Sequence, residues 1–154
     1  MRYNFLALHS NLGNLSNMWT CPQCKRTFRN TNQAHSCKQV DKESFFLRRP
    51  AHLKKLYDII KEKVNGLGEF REEAVLPDVI FFKTKSTFLA IKVKKAWLDI
   101  EFFLDHLEDV HPVKKYLQTS KRRFVHLVSI DDEKEIDHQL MDWISHSYKL
   151  IKSS

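Results

Sequence analysis

Three cysteines and one histidine, confined to 17 residues, constrain this chain more than any other feature of its sequence. They are Cys21, Cys24, His35 and Cys37, and the protein contains 3 cysteines in total. Three thiolates and an imidazole make a complete tetrahedral shell for zinc, which leaves no position for water or substrate. We therefore predict a structural Zn²⁺ site in a zinc-finger-like knuckle.

The spacing of these ligands also limits what the knuckle does. Cys21 and Cys24 enclose a Cys-Pro-Gln-Cys turn, in which backbone N–H groups bond to sulfur, and we expect Trp19 and Phe28 to form its apolar base. The His-x-Cys ending at His35 differs from fingers that carry two histidines on a DNA-reading helix. A base-reading helix is therefore not predicted. The alternative is a chance cluster of reduced cysteines without metal.

Cysteine usage and charge indicate the environment of the protein and its partners. An odd number of cysteines with Cys-x-x-Cys spacing argues against disulfides and for a reducing, cytoplasmic location. The apolar stretches are too short for a signal peptide or a membrane span, so we expect no membrane association. The net charge of +7 is distributed as +4 over residues 1–43, +6 over residues 44–130 and −3 over residues 131–154. DNA or RNA is a compatible partner, although many proteins with this balance bind neither.

The chain is predicted to have three parts: an N-terminal lead (1–17), a zinc-binding module (18–38) and an α+β domain (44–154). Apolar residues recur at helical spacing after Pro50 and again from Ile136, which predicts two main helices, the second capped by Asp131 or Asp132. Four strands are predicted, at Val79 to Phe82, Phe88 to Val93, Trp97 to Leu104 and Phe124 to Ile130. Asp105 to Thr119 is predicted to be a loop or a short helix. The fold class is thus α+β, a small zinc module followed by a mostly antiparallel sheet of about four strands packed with two main helices.

The apolar alternation also predicts the register of the second and third strands. Val93 is expected opposite Leu98, with the intervening residues forming the turn. On the outer face this register places Lys92 opposite Asp99 as an ion pair. It also places Phe88 opposite Phe103 as an aromatic pair on that face.

Basic residues are the main binding feature outside the metal site. They belong to the zinc loop and to the ends of strands, where they would contact phosphate without reading sequence. The candidate nucleic-acid contacts are Lys25, Arg26, Arg29, Lys83, Lys85, Lys94, Lys95, Lys121, Arg122 and Arg123. If they are exposed, Phe81, Phe88 or Trp97 would stack on unpaired bases; the alternative is that these aromatic residues all belong to the core.

The sequence provides no residue set for catalysis, because the metal takes every cysteine and the histidines are scattered. His106 and His111, with Glu108 and Asp109 between them, favour a solvated polar loop over a metal site, and His126 favours a strand histidine bonded to a neighbour. We therefore predict a non-enzymatic binding module. The alternatives are a protein-interaction or regulatory module with purely structural zinc, and a small-ligand enzyme with its site in a cleft between helix and sheet.

Several segments together resemble a known family. They are Trp19-x-Cys-Pro-x-Cys-x-Arg-x-Phe28, Asn32-Gln33-x-His35-x-Cys37, the Gly-x-Gly that ends the first helix, Ile80-Phe-Phe-Lys83, Phe88-x-Ala90, the segment 122–128, and Trp143-Ile-x-x-Ser-Tyr148. They are similar to bacterial proteins that carry domain of unknown function 5655. Lys25 departs from this pattern, since glycine is usual after the second cysteine. The C-terminal domain is also similar to the MmcQ/YjbR-like double-wing fold, whose name implies DNA binding. The resemblance implies zinc and a fold, but no reaction.

Overall fold

The computed structural model of the protein describes residues 18–28, 30–35, 37–38 and 40–154. The chain divides into two compact units, Met1–Val40 and Asp41–Ser154. The first unit holds the predicted metal ligands, and the second holds the predicted sheet. The lead that we predicted over residues 1–17 lies outside the described residues, as does Arg29.

The first unit is built on a short hairpin. Strand β1 (Trp19–Thr20) pairs antiparallel with β2 (Thr27–Phe28), so that Trp19 lies opposite Phe28. The two rings, which we predicted to form the apolar base of the module, have centroids 5.9 Å apart. The His35 ring packs on the same side, 4.1 Å from the centroid of Phe28. So small a unit buries little apolar surface, which is why additional links such as a metal are needed to stabilise modules of this size.

The second unit contains two α-helices and one six-stranded sheet. A short 3₁₀ helix (Lys42–Phe45) precedes helix α1 (Ala51–Asn65). Six strands follow: β3 (Arg71–Val75), β4 (Val79–Lys83), β5 (Thr87–Val93), β6 (Leu98–Leu104), β7 (Lys115–Ser120) and β8 (Arg123–Ile130). A second 3₁₀ helix (Glu133–Glu135) and helix α2 (His138–Lys152) complete the unit.

The sheet has the order β3-β4-β5-β6-β8-β7, and all of its neighbouring strands are antiparallel. The prediction of an α+β fold with two main helices and a mostly antiparallel sheet is therefore confirmed. The predicted number of about four strands is wrong, because the structure has six strands in this sheet and two more among the described residues of the first unit.

The two strands that we missed, β3 and β7, are the edges of the sheet. β3 begins Arg-Glu-Glu, and all six residues of β7 are exposed, so neither carries the apolar alternation of a half-buried strand. The prediction of a loop or short helix over Asp105 to Thr119 holds for residues 105–114, which form a loop, but not for β7, whose Lys115 pairs with Leu127 of β8. These segments form strands because a neighbouring strand offers its hydrogen-bonding edge, and their own composition gives little indication of it.

The predicted register between β5 and β6 is confirmed, but the predicted ion pair is wrong. Val93 lies opposite Leu98, and Lys92 lies opposite Asp99. The Lys92 ammonium instead contacts the diagonal neighbour Glu101, at 2.7 Å. Asp99 accepts hydrogen bonds from the Ser129 hydroxyl at 2.6 Å and from the Trp97 indole N–H at 2.9 Å. Diagonal pairs lie within reach of a long side chain, and the neutral donors leave Asp99 satisfied without a lysine.

Phe88 does not lie on the outer face opposite Phe103, as we predicted. The ladder between β4 and β5 shifts between Phe82 and Lys83. Phe88 is fully buried, and its ring meets Tyr148 of α2 edge to face, with centroids 5.1 Å apart. A bulge changes which face a side chain occupies, and alternation alone does not reveal its position.

Both α-helices cover the same face of the sheet. Phe82 and Phe102 share that face because each pairs with Leu89. Tyr57 of α1 packs edge to face on Phe82, and Trp143 of α2 stacks on Phe102. The helices among the described residues are all too short or too polar to cross a membrane.

The helix beginning predicted at Asp131 or Asp132 is only partly right. Asp132 caps the 3₁₀ helix, where it forms a capping box with Glu135. A separate cap, Asp137, accepts a hydrogen bond from the backbone N–H of Leu140 at 2.9 Å and begins α2. Two capping aspartates in close succession therefore divide the segment into a turn of 3₁₀ helix and a long α-helix.

Candidate metal centre

The turn between Cys21 and Cys24 has the shape of a metal-binding knuckle. The Cys21 carbonyl accepts from the Lys25 N–H, and the Cys21 N–H donates to the Arg26 carbonyl, both at 2.9 Å. Lys25 has φ of +60°, a left-handed conformation that favours glycine. The turn is therefore closed by a lysine in a strained conformation, at the position where the family resemblance leads us to expect glycine.

The four predicted ligands converge on one point. Their donor atoms all lie within 4.8 Å of one another. The Cys21 and Cys37 sulfurs are 3.6 Å apart, and His35 Nε2 lies 3.4 Å from the Cys24 sulfur and 3.2 Å from the Cys37 sulfur. Sulfur and nitrogen ligands of one tetrahedral zinc ion lie roughly 3.6–3.8 Å apart. The cluster therefore fits a single tetrahedral ion, and all three cysteines are free of disulfides.

The histidine is held in the orientation that ligation requires. His35 Nδ1 donates to the Gln33 carbonyl at 2.5 Å, so that the Nε2 lone pair faces the sulfurs. A backbone carbonyl on the distal nitrogen is a common means of fixing the tautomer of a metal-binding histidine. The same hydrogen bond raises the pKa of His35.

Protons are unevenly distributed over the three thiols. A hydrogen bond from the Arg26 side chain lowers the pKa of Cys24 to about 6, and the backbone N–H of Cys24 lowers the pKa of Cys21. Burial raises the pKa of Cys37 to about 11, with the neighbouring sulfurs contributing. A metal ion that binds all three cysteines as thiolates displaces the proton of Cys37. The affinity of the site for the metal therefore decreases as the pH falls.

The basic residues predicted to contact nucleic acid belong to both units. In the knuckle, Lys25 is exposed, whereas the Arg26 guanidinium lies 5.7 Å from the centroid of the Phe28 ring. The third basic residue of the loop, Arg29, lies outside the described residues.

In the second unit, the predicted basic residues occupy two opposite ends of the sheet, as the antiparallel order requires. Lys94 and Lys95 lie in the β5–β6 turn at one end. Lys83, Lys85 and the segment 121–123 lie at the other end. Three of these are held by neighbours. Lys83 pairs with Glu73 at 2.7 Å, and the Lys85 ammonium donates to the Ser154 carbonyl at 3.1 Å. The Arg123 guanidinium donates to the Ser154 hydroxyl at 2.7 Å.

Two of the three aromatic residues expected to stack on bases are in the core. Phe81 is 9% exposed and Phe88 is fully buried, so that prediction is wrong for both. Trp97 is 38% exposed, and its indole N–H is bonded to Asp99. Phe81 and Phe88 lie in central strands whose residues are nearly all buried, so both faces of the sheet are covered at these positions.

Two shallow clefts of the second unit are among the candidate sites for a small ligand. One, of about 350 Å³, is lined by residues that include Trp97, His111 and Lys114. The other, of about 230 Å³, is lined by residues that include Arg48, Arg49 and Asp78. Both are at or below the small end of ligand pockets in size, so they give the enzyme alternative little support.

Sequence reasoning missed one cluster of potential ligands. Asp105 and His106, which follow β6, meet His146 of α2. His111, which we had paired with His106, lies instead at the larger cleft. The spacing of residues within one loop could not reveal this cluster, because its third member, His146, belongs to helix α2 and lies 40 residues after His106.

The chain as described is a Cys₃His knuckle followed by an α+β domain with a six-stranded antiparallel sheet. It belongs to the family defined by a domain of unknown function, DUF5655, whose family model matches residues 42–151. The matched region covers the second unit and leaves the knuckle outside it. No curated protein and no solved structure matches the chain. The likeness to the double-wing fold and the bacterial source remain predictions.

Proposed function

We propose that the chain is a zinc-stabilised binding module rather than an enzyme, with one Zn²⁺ held by Cys21, Cys24, His35 and Cys37. The observation that carries the proposal is the convergence of these four donor atoms within 4.8 Å. Soft thiolates select zinc over magnesium or calcium, and four protein ligands close the shell of the ion. Free thiols that serve a metal suit a reducing cytoplasm, where we expect the protein to act.

Metal analysis tests the zinc assignment. Protein purified without added metal should contain about one zinc per chain, and cobalt substitution should give the absorption of a tetrahedral thiolate site. His35→Cys keeps four ligands and should retain the ion, whereas His35→Ala leaves three and should lose it or bind it far more weakly. Substoichiometric metal with an unchanged fold, or full retention by His35→Ala, would refute a structural site.

Nucleic acid is the partner that we propose for this module. The supporting observation is the division of charge: residues 1–40 contain five basic and no acidic residues, whereas residues 41–154 contain 21 basic and 19 acidic residues. Lys25 lies at the left-handed position of the turn that follows Cys24 and is exposed. A cation fixed on a rigid turn contacts phosphate without the ordering cost of a flexible tail.

Binding of fluorescent single- and double-stranded oligonucleotides tests this partner. Affinity should fall steeply between about 50 and 200 mM salt. Lys25→Gln should weaken binding and reduce the slope of log K against log salt by about 1. Lys63→Gln, which removes an exposed lysine from α1, is the matched control and should change the slope little. Absence of binding at low salt with micromolar protein would overturn the proposal.

A protein-interaction role is the second candidate, and the edge strand β7 favours it. All six of its residues are exposed, among them Tyr116 at 45% and Leu117 at 43%. One side of β7 pairs with β8, and its other side is the outer edge of the sheet, to which another strand can add. A second copy of this chain, paired through β7, would appear as a dimer in light scattering and would dissociate in Leu117→Lys. A monomer at high concentration contradicts this candidate.

A further inference from the structure

Two imidazoles and a carboxylate meet in the second unit, outside the knuckle. Asp105 Oδ1 lies 2.7 Å from His106 Nδ1 and 3.1 Å from His146 Nε2. The three donor atoms are all within 4.8 Å of one another. Their side chains are 42–49% exposed, so solvent reaches the cluster from one side.

Buried hydrogen bonds fix the backbone on both sides of this cluster. Ser147, which follows His146, is fully buried, and its hydroxyl accepts from the Phe103 N–H at 2.9 Å and donates to the Phe88 carbonyl at 2.6 Å. Phe103 lies two residues before Asp105. The helix that presents His146 is therefore attached to the strand that presents Asp105 by a bond that water cannot reach.

The loop after β6 has its own attachment. The Glu108 N–H donates to Nε2 of His126 at 3.0 Å, and His126 is fully buried beneath that loop. The His126 ring stacks on Phe102, whose other neighbour is Trp143 of α2. Asp105 and His106 are thus held between two anchored points, which lowers the cost of ordering them around a ligand.

We propose that Asp105, His106 and His146 bind a divalent first-row transition-metal ion of the zinc class. Neutral imidazoles and a carboxylate are ligands that Zn²⁺ and Ni²⁺ prefer, whereas Ca²⁺ and Mg²⁺ require oxygen ligands. Ligands at about 2.1 Å from an ion lie roughly 3.0–3.4 Å apart, close to the spacings already present. The ion replaces the proton shared by Asp105 and the facing imidazole nitrogen.

Glu108 supplies the outer contact that such a site needs. Its Oε1 lies 3.1 Å from His106 Nε2. When Nδ1 of His106 binds the ion, the ring proton resides on Nε2 and is donated to Glu108, which fixes the tautomer. Three protein ligands do not complete the shell of the ion, so the remaining positions face solvent and accept water or a small anion.

Titration of the full-length protein with Zn²⁺ and with Ni²⁺, followed by calorimetry, tests this site. Wild-type protein should bind one equivalent more than His146→Gln or Asp105→Asn, and Glu108→Gln should weaken that equivalent about tenfold. His138→Gln, which removes an exposed histidine from the first turn of α2, is the matched control and should bind like the wild type. Far-ultraviolet circular dichroism should show the same helix content in all variants, since every altered side chain is at least 30% exposed or fully on the surface.

Equal stoichiometry in wild type and His146→Gln would overturn the second site, as would equal weakening by His138→Gln. If the knuckle binds no metal, the result would look different, because the wild type and every variant would then bind one equivalent of metal less. Co²⁺ separates the two sites further, since the second site has no sulfur ligand and gives no thiolate charge-transfer absorption.

Discussion

The buried hydroxyl of Ser147 should be the most sensitive polar group of the second unit. It is completely buried, and it bridges a backbone N–H of β6 and a backbone carbonyl of β5. The regular ladder of these two strands ends at the Leu89–Phe102 pair, so the next residues, Phe88 and Phe103, depend on this side chain. Ser147→Ala removes the oxygen and leaves both backbone groups buried.

The cost can be worked from these two contacts. Each buried backbone group without a partner costs about 1–3 kcal/mol, and alanine returns about 0.5 kcal/mol through its higher helix propensity. For the two groups together we expect a loss of about 1.5–5.5 kcal/mol, which is a large part of the total stability of about 5–15 kcal/mol typical of a domain. The space left by one oxygen is too small for a water molecule to replace the lost bonds. The midpoint of thermal unfolding should fall by about 10 °C.

Urea unfolding measures the loss, and amide hydrogen exchange locates it. The N–H of Phe103 should exchange faster in Ser147→Ala than in the wild type. Ser145→Ala, a half-buried serine two residues earlier in the same helix, is the control and should change stability by less than about 0.5 kcal/mol. If the free energy of unfolding of Ser147→Ala lies within about 0.5 kcal/mol of the wild-type value, the hydroxyl bridge is not the contact that holds α2 to the ends of the two strands.

Three further predictions concern charge and metal. Burial lowers the pKa of His126, which faces Glu108 and His106, so at low pH the unfolded chain binds a proton that the folded chain does not. The free energy of unfolding should therefore decrease as the pH falls below about 6.5, by at most ~1.4 kcal/mol per pH unit. This decrease should vanish in His126→Gln. The Glu72 carboxylate accepts hydrogen bonds from Lys42 at 2.6 Å, from Lys61 at 2.8 Å and from the buried Tyr57 hydroxyl. Glu72→Gln should lower the free energy of unfolding in urea by about 1–3 kcal/mol. Glu133→Gln loses only an exposed pair with Lys55 and should lower it by less than about 0.5 kcal/mol. A strong chelator should abolish the dispersed NMR signals of the knuckle and leave those of residues 41–154 in place, and dispersed knuckle signals in metal-free protein would contradict this.

The sequence was sufficient for the parts of the fold that carry a strong local pattern. The apolar stripes of both helices and the β5–β6 register follow from period and alternation, and both were predicted correctly. Edge strands carry no such pattern. Arg71–Val75 and Lys115–Ser120 become strands because β4 and β8 present free edges to them, and this depends on the completed sheet.

The same distinction applies to the two ligand clusters. The knuckle ligands lie within one short segment, so their spacing alone indicates that they meet. Asp105 and His146 come from distant parts of the chain, and they meet only because Ser147 and the core residues place α2 against β6. A lone histidine on the exposed side of a helix carries no signal of its own, and the neighbouring buried serine is informative only once its two bonds are known.

The pairing of lysines in the second unit changes which residues can be expected to contact an anionic partner. Lys92 and Glu101 have side chains only 12% and 9% exposed, and Lys83 and Glu73 are each 22% exposed. When such a lysine leaves its carboxylate to contact a phosphate, the partly desolvated carboxylate is left without its partner. The binding free energy therefore gains little from the exchange. Lysines that stay paired with a carboxylate therefore release few counterions from the phosphates of a nucleic acid. Lys83→Gln should therefore leave the slope of log K against log salt on duplex DNA unchanged. A slope that becomes shallower by about 1 in Lys83→Gln would mean that this lysine exchanges its carboxylate for a phosphate after all.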